Sequence, residues 1–156
     1  FRVGGASRAE TVRNGVSVLL EQGLAEAQDN ILVHDAARCC LPAEALTRLL
    51  DEAGENDEGG ILAIPVADTL KRADGSHHID ETVARAGLWQ AQTPQLFQTA
   101  LLNRALSVDD LSEITDEASA VEKLGIRPRL VQGDTRNLKL TLPQDEYIVR
   151  LLLQAV

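Results

Sequence analysis

The chain has 156 residues, of which 44% are hydrophobic and 25% are charged, enough for one globular domain with a real core but too few for two. Its net charge of -9 argues against a surface that holds nucleic acid or an anionic membrane, because both favour a strongly basic face. No apolar run approaches the roughly 18 residues of a transmembrane helix, and no signal-peptide pattern opens the chain. We therefore expect one soluble domain spanning 1–156 that binds neither nucleic acid nor membrane. Its two adjacent cysteines form neither a disulfide framework nor a zinc pattern, which favours a cytoplasmic setting.

The first half of the chain alternates helices with short apolar strands. Apolar residues at helical spacing predict a helix over 8–22, directly after a glycine turn. The run ILV predicts a buried strand at 31–34, and a helix follows over 42–53. ILAIPV predicts a second buried strand at 61–66. This alternation is typical of an α/β protein with a parallel sheet.

Residues 67–88 break that rhythm, because polar and apolar residues alternate there on both sides of a polar DGSHH turn. The pattern predicts a projecting β-hairpin. The hairpin carries Lys71, Arg72 and Arg85, a basic group on an acidic protein. Such a group suits either contact with an anion or plain solvation, and the pattern does not decide between them.

The remainder of the chain is predicted to contain three helices and two strands. The helices are expected at 95–106, 116–124 and 143–154, and the strands at 129–132 and 137–140. A capping-box spacing that starts at Thr141, with proline in the first turn, marks the beginning of the last helix.

Two glycines precede the first helix. Gly4 and Gly5 would let backbone amides approach a ligand closely, and the N-terminus of the helix that follows favours an anion. An ordinary strand-to-helix turn capped by Ser7 explains the same residues, so both interpretations stand.

The segment VHDAARCC follows the first predicted strand. Asp35 at the strand end could hold a divalent cation, and Arg38 could offset the charge of a phosphorylated substrate. A loop cap and a surface ion pair are the alternatives. Strand alternation predicts that His34 faces the core, and Cys39 and Cys40 are expected to be small buried residues in a reducing compartment.

Polar residues of the second half add to these candidates. Asn137 and Lys139 are predicted on one face of a strand, from which the lysine can reach a phosphate. Thr115, Asp116 and Glu117 stand at a predicted helix start, where acids satisfy the helix dipole and the free amides. That local explanation suffices for both acids.

Six segments in this order carry a family resemblance: GGxSRxxTV, VHDAAR, DTLKR, GLWQAQTPQLF, ITDEASAVE and NLKLT. They resemble the 2-C-methyl-D-erythritol 4-phosphate cytidylyltransferases of non-mevalonate isoprenoid biosynthesis. The resemblance implies a Rossmann-like α/β nucleotidyltransferase sheet with helices on both faces, and homodimers formed through an exchanged β-arm, residues 67–88. It also implies that magnesium and CTP are used to join CMP to methylerythritol phosphate, with release of pyrophosphate.

The resemblance further implies roles for individual residues. Lys139 and Asp35 are implied to be catalytic, with Asp35 near magnesium. Nucleotide binding is implied for Gly4, Gly5, Arg8, Thr11 and Asp35. Acceptor binding is implied for Arg38, Thr69, Arg85, Thr93, Thr115 and Lys139, and the arm residues Thr69 and Arg85 are implied to reach the neighbouring subunit's acceptor.

The chain departs from the family pattern at several places. Cys39 stands where proline is usual, and Thr11 replaces a serine but keeps the hydroxyl. The chain lacks methionine and starts at FRVGG, so we expect it to be the remainder of a longer protein. The family's glycine-rich N-terminal phosphate loop is not in it, which predicts that this chain carries half a site.

Two alternative functions stay open. A ribitol-5-phosphate cytidylyltransferase would share the fold and the strand end at Asp35, and would differ in the acceptor pocket around Thr115 and in the arm. A non-catalytic nucleotide-binding domain is the second alternative. The presence of Asp35, Lys139 and Arg85 together argues against it.

Overall fold

The computed structural model describes residues 1–155. Its first four elements are the helix α1 (Arg8–Glu21), the strand β1 (Asn30–Val33), the helix α2 (Ala43–Ala53) and the strand β2 (Gly60–Pro65). Each was predicted from its apolar pattern within a few residues, and these positions are confirmed. The prediction that β1 is buried is wrong, because it is an edge strand whose residues are half-buried or exposed.

The predicted hairpin is also confirmed. Strands β3 (Leu70–Ala73) and β4 (Ile79–Val83) pair antiparallel as a separate two-stranded sheet. We call residues 67–88 the arm. Its residues are exposed except for a few at the roots of the strands, so the hairpin extends from the rest of the fold.

The prediction of a helix from residue 95 is wrong. Residues Trp89–Gln98 form the long strand β5, and the helix α3 occupies only Thr99–Leu106. β5 lies inside the main sheet, whose strand order is β1-β5-β2-β6, with β6 at Arg129–Gln132. It runs antiparallel to both of its neighbours. The prediction of a parallel sheet is therefore wrong: the sheet is mixed, and of its three strand pairs only β2 and β6 are parallel.

Helices cover both faces of this sheet, as predicted. Strand alternation places Ile61 and Ala63 against α1, α3 and the helix α4 (Glu117–Glu122), and Leu62 against α2. The core between the sheet and α2 includes Leu49 of that helix, which is fully buried. No helix within residues 1–155 is long and apolar enough to cross a membrane.

Residues 137–140 do not form the predicted strand. Their backbone follows a loop that is held by the buried side chain of Asn137 and by a hydrogen bond from the Leu140 amide to the Ala37 carbonyl at 2.9 Å. The capping box from Thr141 is also wrong. The last helix, α5, spans Asp145–Gln154, and the Asp145 carboxylate accepts from the Thr141 amide at 3.0 Å.

Candidate active site

Asp35 lies two residues beyond the end of β1, in the loop that leads to α2. Its backbone amide donates to Thr93 Oγ1 on the neighbouring strand β5 at 3.0 Å. The same hydroxyl bonds to Nδ1 of His34 at 2.9 Å. The central strand thereby fixes the backbone from which the Asp35 side chain projects.

Three basic side chains surround the Asp35 carboxylate. Arg8 Nε donates to Oδ1 at 2.9 Å, Lys139 Nζ lies 3.3 Å from Oδ2, and Arg38 Nε lies 3.9 Å from Oδ2. Burial by itself would raise the pKa of Asp35, but the hydrogen bonds and charges of Arg8 and Lys139 outweigh it and hold the pKa below the usual range. Asp35 is therefore ionised at neutral pH.

Arg8 binds a second carboxylate, that of Glu117. Arg8 NH1 and NH2 donate to Glu117 Oε1 and Oε2 at 2.6 and 3.1 Å. Burial lowers the pKa of Arg8, yet the two carboxylates more than compensate and raise it above its ordinary value. Glu117 belongs to the site, although the sequence pattern explained it as a helix-terminal acid.

Arg38 is held by backbone carbonyls. Its NH1 donates to the Asn137 carbonyl at 2.7 Å, and its NH2 donates to the Ala91 carbonyl at 3.5 Å. Burial lowers the pKa of Arg38, and the nearby Asp35 partly offsets this. An arginine remains protonated despite such a shift, so Arg38 contributes a fixed positive charge.

These groups line one pocket of about 270 Å³. The predicted site residues that line it are Arg8, Asp35, Arg38, Thr93, Thr115 and Lys139. The acid Asp116 lines the pocket as well. Three cationic side chains nevertheless converge on Asp35, and their N–H donors are the groups that suit a phosphate.

The nucleotide-binding candidates at the start of the chain lie nearby. Thr11 lines an adjoining cavity of about 420 Å³ together with Arg8 and Lys139. Gly4 and Gly5 line neither cavity, and the Gly5 amide donates to Thr11 Oγ1 at 2.9 Å. The predicted role of the two glycines in nucleotide binding stays a prediction.

The structure does not bring Thr69 and Arg85 to this pocket. Both are exposed at the root of the arm, Thr69 just before β3 and Arg85 just after β4, and neither lines the cavity around Asp35. The predicted contact of these two residues with an acceptor stays a prediction.

Two smaller predictions about the segment after β1 are wrong. His34 is exposed rather than in the core, because its ring lies between the Thr93 hydroxyl and the Arg38 carbonyl, which Nε2 approaches to 2.9 Å. Cys39 is exposed and Cys40 is half-buried, because the loop carries them to the surface beside α5. Both thiols are free.

The acids of the pocket limit how a metal can bind. Residues 1–155 contain no group of three His, Cys, Asp or Glu side chains that could hold an ion. Asp116 caps α4 through the Ser119 amide at 2.8 Å, and Glu117 pairs with Arg8. Asp35 lines the pocket, and Arg8 and Lys139 contact its two oxygens, so the predicted role of Asp35 in holding magnesium stays a prediction.

Basic side chains that converge on one carboxylate at a strand end of an α/β sheet are typical of enzymes acting on phosphorylated substrates, among them the nucleotidyltransferases. Residues 2–155 match the family described as 2-C-methyl-D-erythritol 4-phosphate cytidylyltransferase. The chain belongs to this family, which confirms the resemblance seen in the six segments.

Curated relatives and solved structures agree with this assignment. The chain is 74% identical to a 2-C-methyl-D-erythritol 4-phosphate cytidylyltransferase of Neisseria gonorrhoeae (strain NCCP11945) over all 156 residues, which span 68% of that relative. It superposes on a crystal structure of 4-diphosphocytidyl-2C-methyl-D-erythritol synthase with a TM-score of 0.91 at 73% identity, covering 96% of this chain and 68% of that one. The Francisella tularensis enzyme gives a TM-score of 0.86 at 32% identity, with 96% and 69% covered.

Proposed function

We propose that this chain transfers CMP from CTP to the phosphate of 2-C-methyl-D-erythritol 4-phosphate and releases pyrophosphate. The product, 4-diphosphocytidyl-2-C-methyl-D-erythritol, is an intermediate of non-mevalonate isoprenoid biosynthesis. Family membership supports the reaction. The observation that carries it is the convergence of Arg8, Arg38 and Lys139 on Asp35 in one pocket.

The chemistry fits these residue types. The nucleophile is a phosphate oxygen of the acceptor, which is already ionised near neutral pH, so the site needs no general base. The difficulty lies in aligning two anions in line and neutralising charge at the α-phosphate. Lys139 and Arg38 supply fixed positive charge for this purpose. Removing one such contact commonly costs about 10²-fold in rate or more.

Magnesium is part of the proposal. Asp35 would hold it through Oδ2, in place of the Lys139 contact at 3.3 Å, because the Glu117 side chain is only 1% exposed and Asp116 caps α4. The bound ion would neutralise charge on the nucleotide phosphates. We expect a chelator to abolish turnover and added magnesium to restore it, whereas turnover that survives full chelation would remove the ion from the proposal.

The deciding assay is pyrophosphate release by the protein expressed from its complete gene. Release from CTP is expected only when methylerythritol phosphate and magnesium are both present. Release with ribitol 5-phosphate, and none with methylerythritol phosphate, would favour the alternative acceptor. Absence of release with either would favour a non-catalytic nucleotide-binding role.

The proposal includes a homodimer in which the arm of one subunit completes the site of the other. Support comes from Thr69 and Arg85, which are exposed and lie outside their own pocket. Of the arm's basic side chains, Arg72 pairs with Glu81 and Lys71 donates to Thr82, so Arg85 is the one proposed to contact a phosphate elsewhere. The acceptor phosphate bound beside Lys139 is its natural target.

Mixed dimers test this arrangement. Arg85→Ala and Lys139→Ala subunits should each be poor enzymes as homodimers. A heterodimer purified with two different tags should regain one working site, because that site has its own Lys139 and the partner's intact arm. Activity near half that of wild type is expected, and activity no higher than either parent would place Arg85 outside the partner's site.

We also infer a cytoplasmic location. The two free thiols, Cys39 and Cys40, fit a reducing compartment. Cell fractionation with an antibody to the protein would test this, and recovery with the membrane or periplasmic fraction would contradict it.

A further inference from the structure

Glu117 is a buried acid that does not line the active-site pocket itself but pairs with Arg8, which does. Its side chain is 1% exposed, and both of its carboxylate oxygens bind Arg8. Its place at the first residue of α4 suggests helix capping, but Asp116 and Ser119 already form a complete capping box. The helix start therefore does not require Glu117, and its carboxylate is directed entirely to a residue of the site.

The two carboxylates fix the orientation of the Arg8 guanidinium. This group has five N–H donors, of which Nε serves Asp35 and one donor on each terminal nitrogen serves Glu117. One N–H on each terminal nitrogen remains. Because Arg8 lines the pocket and its side chain is 35% exposed, these remaining donors can meet a phosphate there.

Glu117 also affects which basic side chains bind Asp35. Arg8 and Lys139 share the Asp35 carboxylate, one at each oxygen. Without Glu117, the terminal nitrogens of Arg8 would lose their partner, and Asp35 would be the nearest remaining acid for them. Arg8 would then compete with Lys139 for Oδ2, and its terminal nitrogens would no longer be available to a phosphate in the pocket.

We propose that Glu117 is a positioning residue for CMP transfer: it holds Arg8 with two N–H groups free for a phosphate and keeps Arg8 from displacing Lys139. This inference rests on the proposed function. It concerns a residue that acts through Arg8 and does not itself touch the substrates.

The first test removes the charge of Glu117 and keeps the size of its side chain. Glu117→Gln should lower kcat by about tenfold or more, because misplaced catalytic groups are costly, while the KM for CTP changes by less than about threefold since Arg8 and Lys139 keep their charges. Glu122→Gln is the matched control, because Glu122 is exposed on the same helix and has no ion pair within the described part of the chain. Thermal melting of each variant verifies that it is folded.

A second variant covers the case in which Glu117→Gln does not fold. Glu117→Asp keeps the charge but shortens the side chain by one methylene, so Arg8 must move to follow it. It should fold and still lower kcat. A folded Glu117→Asp protein with the kcat of wild type would overturn the proposal.

A double-mutant cycle separates positioning from simple stabilisation. In an Arg8→Ala background, Glu117→Gln should change kcat by less than about twofold, because the residue through which Glu117 acts is gone. It should also raise the melting temperature there, since it removes a buried unpaired charge. An equal loss of kcat in both backgrounds would overturn the proposal. A wild-type protein without turnover would instead sink the proposed function itself, so the two failures are distinguishable.

Discussion

Replacing Asn137 by alanine should destabilise the loop that carries Lys139. The Asn137 side chain is fully buried, and its Nδ2 donates to the Thr93 carbonyl at 2.7 Å and to Gln92 Oε1 at 3.3 Å. In the variant the Thr93 carbonyl loses this partner, while Gln92 keeps the amide of Asp134 at 3.4 Å. An unpaired buried acceptor costs about 1–3 kcal/mol, and the emptied space adds about 1 kcal/mol. We expect a loss of about 2–4 kcal/mol in the free energy of unfolding.

Urea denaturation of the variant and wild type measures this loss directly, provided that both give the same m value. Thermal melting should show a drop of about 4–16 °C, at about 2–4 °C per kcal/mol for a chain of this size. Thr135→Ala, at an exposed position of the same loop, is the control and should stay within about 0.5 kcal/mol of wild type. Turnover should also fall in Asn137→Ala, because Lys139 is displaced. An unfolding free energy within about 0.5 kcal/mol of wild type would refute the idea that Asn137 anchors this loop.

Three further substitutions give independent tests. Asp35→Asn should lower turnover at least about tenfold, and turnover within twofold of wild type at saturating magnesium would return Asp35 to a loop-capping role. The pKa of Asp35 is depressed in the folded protein, so its charge stabilises the fold above about pH 4 and ceases to do so as the pH falls through the folded pKa. The unfolding free energies of wild type and Asp35→Asn should therefore converge in acid. A difference between them that stays constant with pH would contradict this. Thr93→Val removes the acceptor of the Asp35 amide and the partner of the His34 ring, so thermal melting should show a loss of about 1–3 kcal/mol in stability. An unchanged melting temperature would contradict this expectation. Arg72→Ala breaks an ion pair with Glu81 in which both side chains are more than half exposed, and urea denaturation should show a change below about 1 kcal/mol; a larger loss would mean that the pair is structural.

Periodicity predicted those elements whose residues follow one local rule. The helices α1 and α2 and the strand β2 have apolar patterns that only one kind of element satisfies. The strand β5 has no such pattern, because Gln92, Thr93 and Gln95 are buried within it and Pro94 lies among them, a residue that usually argues against a strand interior. These polar side chains bond to loops and to α4, which are far away in sequence. Neither β5 nor the mixed sheet could therefore be predicted from local pattern alone.

The residues of the candidate site were predicted more completely than the residues that hold them in place. Asp35 follows an apolar strand directly, and a polar residue at that position already indicates a ligand site. Lys139 was assigned to the site on the assumption that it lies on a strand, whereas the Asn137 anchor places it there from a loop. Glu117 pairs with Arg8 across 109 positions of sequence. Its local context offered a sufficient explanation as a helix-terminal acid, so nothing in the pattern marked that pairing.

The separate two-stranded arm has a consequence for local unfolding. Within residues 1–155 its strands hydrogen-bond only to each other, whereas β5 is bonded on both of its sides. An isolated two-stranded hairpin is marginally stable in water. Backbone amides of the arm should therefore exchange with deuterium well before those of β5, which require more global opening. Where a partner subunit or substrate orders the arm, slowed exchange in residues 70–83 would report that event directly, without any measurement of catalysis.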